Sequence, residues 1–284
     1  MEIAPARLYW IASYPKSGNT WMRAALTSLR SGGRAIDINR LDGDLIASSR
    51  VQFDRYTGVE ASDLTDAEIL SLRPAVFRGL ARAQREPLLC KAHEAYVDAG
   101  NEPLFPTDAT LGAVYIVRDP RDVAVSLAHH RQWPLARAVD FLCQPDVDLA
   151  ASRGRLNRQL RQPLGSWSQH IRSWIMPEGA AGAFPVRVVR YEAMHEGLQL
   201  ILAELAQTLG WPVNEAQLAN AVAASRFDRL QSQEAMTGFS ERPATMPAFF
   251  RKGVVGSWRE ALSSAQVAQI TASHAELMAH FGYV

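Results

Sequence analysis

Four short apolar runs constrain this chain more than anything else in it: Leu8–Ser13, Pro87–Ala92, Gly112–Val117 and Val186–Arg190. Each is continuous rather than alternating and rich in Val, Ile, Leu and Tyr, the pattern of strands buried on both faces. Longer amphipathic stretches separate them. Strands that alternate with helices imply an α/β architecture, a central parallel sheet flanked by helices and wound by right-handed crossovers. In open parallel sheets ligands bind beyond the carboxyl ends of the strands. The segments that follow those ends here are Tyr14–Trp21, His93, Arg118 and Tyr191. With 284 residues, 48% of them apolar, the chain can bury a sizeable core. It shows no repeat, low-complexity tract or composition break, so residues 1–284 read as one domain.

Helical signals fill the intervals. A helix is predicted from near Thr20 through W-M-R-A-A-L-T-S-L. A second covers Asp63–Leu72, with Thr65 as cap and Glu68 three residues on. Others are predicted over Asp122–His130, Gly165–Ile175, Glu196–Gly210, Asn214–Ala223 and Ser264–Phe281. Gln144–Pro163 is polar and aperiodic, and Gln231–Ala248, with its Gly, Ser, Thr and Pro, reads as a mobile flap.

Charge narrows the function classes. Thirty basic residues face twenty-nine acidic ones, so a broad nucleic-acid surface is not expected, while a local basic pocket remains open. Cys90 and Cys143 are too few for a disulfide framework and read as reduced thiols in a cytoplasmic protein. The start, M-E-I-A-P-A-R-L-Y-W, lacks the charged and apolar regions of a signal peptide. No run of about 18 apolar residues predicts a membrane span.

Three segments carry chemistry. In Y-P-K-S-G-N-T-W a strand runs into a helix through a turn, where unpaired backbone N–H groups and the helix dipole bind anions. Gly18 admits close backbone approach, Ser17, Asn19 and Thr20 add side-chain donors, and Lys16 adds a point charge. The nucleotide triphosphate loop reads G-x-x-x-x-G-K-[ST]; here the lysine precedes its glycine and the first glycine is missing. An ordinary turn with a chance lysine is the bland alternative. In V-Y-I-V-R-D-P-R-D-V-A-V-S-L, Arg118 ends a strand, well placed for a bidentate phosphate contact, and Ser126 follows in the next helix. Arg121 reads instead as a structural ion-pair partner of Asp119 or Asp122. In F-F-R-K-G-V-V-G-S-W-R, Arg251 and Lys252 beside Gly253 make another anion site, with a solvated turn as the alternative. No convincing metal cluster is visible. The adjacent His129 and His130 read as surface or supporting residues.

Taken in order, these segments resemble the PAPS-dependent sulfotransferases, the cytosolic type and its bacterial relatives. Y-P-K-S-G-x-T-W matches nearly letter for letter, with Asn19 where threonine is common. R-D-P-R-D-x-x-x-S and R-K-G-x-x-G-x-W also match. Weaker echoes are K-A-H at Lys91–His93, G-S-W-S-Q-H-I-R-S-W at Gly165–Trp174 and R-Y-E at Arg190–Glu192. The matches run from residue 9 to residue 259.

The resemblance implies the P-loop-NTPase-like sulfotransferase fold and transfer of a sulfuryl group from PAPS to a small-molecule alcohol, phenol, sugar or amine. PAP is the product and no metal is required. By that resemblance Lys16, Ser17, Gly18, Asn19 and Thr20 hold the 5′-phosphosulfate, and Trp21, Tyr191 and Phe227 contact the adenine. Arg118, Ser126, Arg251, Lys252 and Gly253 clamp the 3′-phosphate. The catalytic set it implies is His93 as general base with Lys16, Lys91 and Ser126; Glu94 is the fallback base. An imidazole with a pKa near 6.5 suits that task. The stretch after R-K-G-V-V-G lacks the lysine and threonine-valine core of the dimer motif common in animal members, and oligomeric state stays open. Residues 34–85 match nothing specific; they and Trp133–Pro163 are expected to shape the acceptor pocket. Their Phe53, Tyr56, Trp133 and arginines allow an aromatic or an anionic acceptor. Two rivals are a P-loop kinase, which the missing G-K-[ST] disfavours, and a non-catalytic nucleotide-binding module, which would not need His93.

Overall fold

A computed structural model of the chain describes residues 7–150 and 157–284. Two compact units divide them. One takes the described residues of Met1–Tyr14, Leu45–Tyr115 and Gln144–Val188; the other takes Pro15–Asp44, Ile116–Cys143 and Val189–Val284. The strands are β1 Leu8–Ser13, β2 Gly43–Ile46, β3 Leu88–Ala92, β4 Thr110–Val117, β5 Asp148–Leu149, β6 Gln162–Pro163 and β7 Val186–Arg190.

The first unit carries most of a five-stranded parallel sheet of order β2-β3-β1-β4-β7. β1 pairs with β3 from Leu8 opposite Leu88 to Ala12 opposite Ala92. Every residue of β1 is buried, which is why its sequence is a continuous apolar run. Trp10, fully buried, meets Phe77 and Phe105 edge-on at 5.0 and 4.8 Å. Helices Arg50–Thr57, Asp66–Arg82 and Trp167–Ile175 complete this unit.

The second unit is largely helical, with long helices at Asn19–Arg30, Pro120–Arg131, Tyr191–Leu209 and Ser264–His280. Its apolar cluster joins Ala24, Ile36, Ile38, Leu41, Leu230, Phe239 and Phe250, with Trp21, Phe227 and Phe249 packed against it. No described helix is long and apolar enough to cross a membrane.

The four predicted strands are present. The sequence offered no sign of β2, whose G-D-L-I has no apolar run. The helix read over Asp63–Leu72 runs instead over Asp66–Arg82, through Pro74. Pro74 and the residues after it, Val76, Phe77 and Leu80, are buried. That packing outweighs the roughly 3 kcal/mol that an internal proline costs a helix. The helix read from Glu196 begins at Tyr191, and Gly197 (φ −149°, ψ 38°) breaks it into the short turn that periodicity missed and the amphipathic run that it found.

The stretch read as a mobile flap is helical through Thr237, within helix Phe227–Thr237. The remainder is tied down. The Glu234 carboxylate accepts from the backbone N–H groups of Phe249 (2.7 Å) and Phe250 (2.9 Å), and Asn39 bonds Gly238 and Ser240. Gln144–Pro163, read as a loop, holds the short β5–β6 pair at its two ends. Its residues 151–156 lie outside the described residues, as do residues 1–6 on which the leader-peptide expectation rested.

Candidate functional site

The turn after β1 leads into a helix start that no side chain caps. Gly18 is the residue before that helix, Asn19–Arg30. No acidic residue sits in the first turn. The first N–H groups therefore face outward under the positive end of the helix dipole. Lys16 has φ 71°, a left-handed conformation that costs a non-glycine residue about 1–2 kcal/mol. Gly18 has φ 107°. A Cβ there would stand 2.6 Å from Cδ2 of Tyr191, so only glycine fits. The Ser17 hydroxyl is fully buried with no hydrogen-bond partner among the described residues. A buried polar atom without a partner is uncommon, and this one lies in the turn itself.

Around that turn the second unit gathers positive charge. Arg118, 8% exposed, donates to the Lys16 carbonyl (3.1 Å) and the Val254 carbonyl (3.2 Å), and its guanidinium lies 4.2 Å from the Tyr191 ring centroid. One arginine thus joins the cradle to the R-K-G segment. Burial, and then the Arg118 charge, pull Arg251 below the usual guanidinium range. Partial desolvation, then Arg251 and Lys252, pull His129 down. His195 is lowered by desolvation first and Arg118 second. Cations that destabilise one another in this way make a site that favours a bound anion.

Fixed supports hold this cluster. The buried Asp122 carboxylate accepts from Gly256 N (2.6 Å), Ser257 Oγ (2.9 Å) and Trp258 N (3.0 Å), which pins the R-K-G segment to helix Pro120–Arg131. Arg121 pairs with Asp119 at 2.8 Å, the structural role read for it, and also donates to the Tyr283 carbonyl. Gly253 (φ 60°) lies against Phe227, where a Cβ would come within 2.2 Å of the ring.

An aromatic wall accompanies the charges. Trp21 meets Tyr191 at 5.6 Å and His195 at 4.7 Å, and Tyr191 meets His195 at 4.9 Å. So Lys16, Gly18, Trp21, Arg118, Tyr191, Phe227, Arg251, Lys252 and Gly253 all belong to one unit, linked by contacts or mutual electrostatics. Ser17, Asn19 and Thr20 are buried at the start of that cradle helix. Ser126 is half-buried within helix Pro120–Arg131.

Two residues of this cluster, His195 and Phe249, were given no role by sequence reasoning, and Asp122 was read only as a possible ion-pair partner of Arg121. His195 could have been found, because it lies four residues after Tyr191 and so on the same helical face. His130, read as surface or supporting, has Nδ1 3.4 Å from Lys16 Nζ.

Lys91, His93 and Glu94 belong to the first unit. Lys91 is half-buried in β3. His93 follows β3, beside Ser13 at the end of β1. His93 Nδ1 lies 2.9 Å from the Ser13 carbonyl oxygen. A carbonyl can only accept, so Nδ1 carries the proton and Nε2 of the neutral ring carries the lone pair. Behind it, His170 donates from Nε2 to the His93 carbonyl (2.9 Å) and accepts from the Tyr115 hydroxyl (2.8 Å). Burial lowers the His170 pKa to about 4, so that ring stays neutral. Glu94 is fully buried and ion-paired to the buried Arg73. Its carboxylate also accepts from the His93 N–H at 3.1 Å. Phe53, expected near an acceptor, is 1% exposed and packs in the core. Cys90 and Cys143 are both free thiols. Among the described residues no group of three or more His, Cys, Asp or Glu could hold a metal ion.

The family model of the sulfotransferase domain matches residues 7–282. The chain belongs to the sulfotransferase family. One model thus runs through both compact units. Human sulfotransferase 2B1 is 26% identical over 266 residues, covering 90% of this chain. This chain spans 62% of the length of that relative. Bovine sulfotransferase 1A1 is 27% identical over 278 residues, covering 95% of this chain and 82% of the relative. In fold, this sulfotransferase-family chain is similar to mouse sulfotransferase SULT7A1 complexed with PAP. That match has a TM-score of 0.57 at 20% identity over 96% of this chain and 84% of the other. It is also similar to retinol dehydratase in complex with androsterone and the inactive cofactor PAP. There the TM-score is 0.60 at 19% identity, over 97% of this chain and 82% of the other.

Proposed function

We propose that this protein is a PAPS-dependent sulfotransferase acting as a single domain. It moves a sulfuryl group from PAPS to a hydroxyl, or an amine, of a small-molecule acceptor and releases PAP. The observation that carries this reading is the cation cluster of Arg118, Arg251 and Lys252 set beside the uncapped Lys16–Thr20 cradle. Two anion sites and an aromatic wall within one unit suit an adenosine carrying phosphates at both ends. In this reading the cradle with Lys16 receives the 5′-phosphosulfate, and Trp21, Tyr191 and Phe227 receive the adenine. Arg118, Ser126, Arg251, Lys252 and Gly253 receive the 3′-phosphate.

Chemically, the acceptor oxygen attacks sulfur, a new S–O bond forms, and the S–O bond to the 5′-phosphate breaks. The electron pair stays on the phosphate oxygen, and the positive Lys16 favours the charge that grows there. Such transfers depend on positioning and electrostatics more than on covalent help from the protein. His93 takes the acceptor proton on Nε2, the nitrogen left with the lone pair when Nδ1–H bonds the Ser13 carbonyl. Lys91 helps to align the sulfuryl group. Glu94 is the poorer base, because its carboxylate is committed to Arg73. The named ligands of the structural relatives, androsterone and retinol, are both small alcohols, which supports a small-molecule acceptor here. A cytoplasmic location goes with this reading; a relative from Arabidopsis thaliana is named a cytosolic sulfotransferase.

The test is differential protection followed by turnover. PAP at a hundred times its dissociation constant should stabilise the fold by about 2.7 kcal/mol, and ATP with Mg²⁺ should not. Labelled PAPS incubated with alcohols, phenols and amino sugars should yield PAP and a sulfated product. No stabilisation by PAP would sink the proposal. PAP binding without transfer to any acceptor would favour the binding-module alternative.

A further inference from the structure

The cradle lysine is held by more than its own backbone. Lys16 Nζ lies 3.4 Å from Nδ1 of His130 and 4.1 Å from the centroid of the Phe249 ring. The two rings meet edge-on at 6.0 Å. An ammonium only donates, so at this contact Nδ1 of His130 offers its lone pair and the proton of the neutral ring sits on Nε2. Phe249 offers its ring face, the negative end of the aromatic quadrupole. Neither group brings the negative charge that a carboxylate in either place would set against the lysine. Both also stand on fixed supports. His130 lies one turn beyond Ser126 on helix Pro120–Arg131. The backbone of Phe249 is fastened to the buried Glu234 carboxylate at 2.7 Å.

We propose that His130 and Phe249 are positioning residues that station the Lys16 ammonium for the 5′-phosphate end of an adenosine bisphosphate ligand. The proposal rests on the nucleotide reading of the cradle. Neither residue need touch the ligand; each acts through Lys16. The left-handed Lys16 backbone (φ 71°) is accounted for in the same way, as the conformation from which the side chain reaches both groups.

The composition makes the test direct. Of thirty basic residues only three are lysines: Lys16, Lys91 and Lys252. The full chain grown with lysine labelled by ¹³C at Cε should therefore give three ε-methylene signals, with Lys16→Met assigning one. The Lys16 signal should lie upfield of the other two because of the Phe249 ring current. Phe249→Leu should collapse that displacement. Phe249→Trp should keep it.

PAP affinity by calorimetry should fall about fivefold in Phe249→Leu and His130→Leu, the range expected for losing a cation–π or lone-pair contact. It should stay within about twofold of the parent in Phe249→Trp and in His130→Asn, whose side-chain oxygen replaces the Nδ1 acceptor. A Lys16 signal with no upfield displacement in the parent would overturn the stationing. So would Leu variants that bind PAP as tightly as the parent, or Asn and Trp variants that lose as much as the Leu ones. A parent that binds no PAP overturns the nucleotide reading and the ligand named here. The displaced signal then decides separately whether the two rings hold the lysine.

Discussion

Replacing Gly18 by alanine tests the cradle most directly. Two costs can be read from the structure. At φ 107° an L side chain is strained, by about 1–2 kcal/mol. The new Cβ would also stand 2.6 Å from Cδ2 of Tyr191. That ring cannot easily yield, because the Arg118 guanidinium lies 4.2 Å over it and Trp21 and His195 pack at 5.6 and 4.9 Å. Forcing an extra methyl into a packed site costs about 1–3 kcal/mol. Together the substitution should destabilise by about 2–5 kcal/mol.

Gly210 supplies the control in the same unit. It has φ 67°, and an alanine methyl there would meet nothing within 4 Å, so Gly210→Ala should cost only the backbone strain of about 1–2 kcal/mol. Urea unfolding of both variants gives the difference, and calorimetry with PAP shows whether the Tyr191 displacement damages the site. Suppose Gly18→Ala unfolds at the same urea concentration as Gly210→Ala and binds PAP as the parent does. The close approach of Tyr191 is then no constraint, and the cradle does not require glycine.

Arg118→Ala should weaken PAP binding by about tenfold or more, since a charged hydrogen-bond donor to phosphate is worth about 1.5–3 kcal/mol; equal affinities would refute the 3′-phosphate role. Glu94→Gln should destabilise by about 3–5 kcal/mol, because it leaves Arg73 buried without its counter-charge. His93→Ala should leave stability nearly intact while lowering turnover about 10²–10⁴-fold, and the reverse pattern would exchange their roles. His170 ties acid sensitivity to the fold. Its pKa is about 4 when folded, against about 6.5 for a free imidazole. The unfolded chain therefore binds the proton first: stability is complete above about pH 6.5 and falls towards pH 4, by up to about 3 kcal/mol. His274, also lowered to about 4 by burial, acts in the same direction. Unfolding free energies that do not change between pH 7 and pH 4.5 would contradict the buried, neutral state of both rings.

Periodicity located β1 and β4 because burial on both faces forces an uninterrupted apolar run; β7 is a strand although only Val189 of its V-R-V-V-R is buried, so the expected burial on both faces does not hold there. It failed where tertiary packing overrode local preference. Pro74 lies inside a helix whose later residues are buried, and the turn of helix before Gly197, Tyr191–Glu196, carries no periodic signal of its own. The flap was misread for a related reason. Its Gly, Ser, Thr and Pro content signals a loop, but only the folded chain shows Glu234 reaching the N–H groups of Phe249 and Phe250.

By itself the sequence determined the parallel α/β architecture, the strand-to-helix turn at Lys16–Thr20 and the order of the three segments proposed to bind anions. Strand burial, helix starts and glycine turns are local properties, written in neighbouring residues. Only the tertiary structure decided what those segments meet. Lys16 rests against His130, 114 positions away, and against Phe249. Asp122 fastens a loop 134 positions further on, and the His93 carbonyl accepts from His170 across 77. Such partners are chosen by packing, which depends on every element at once, and no spacing along the chain records them.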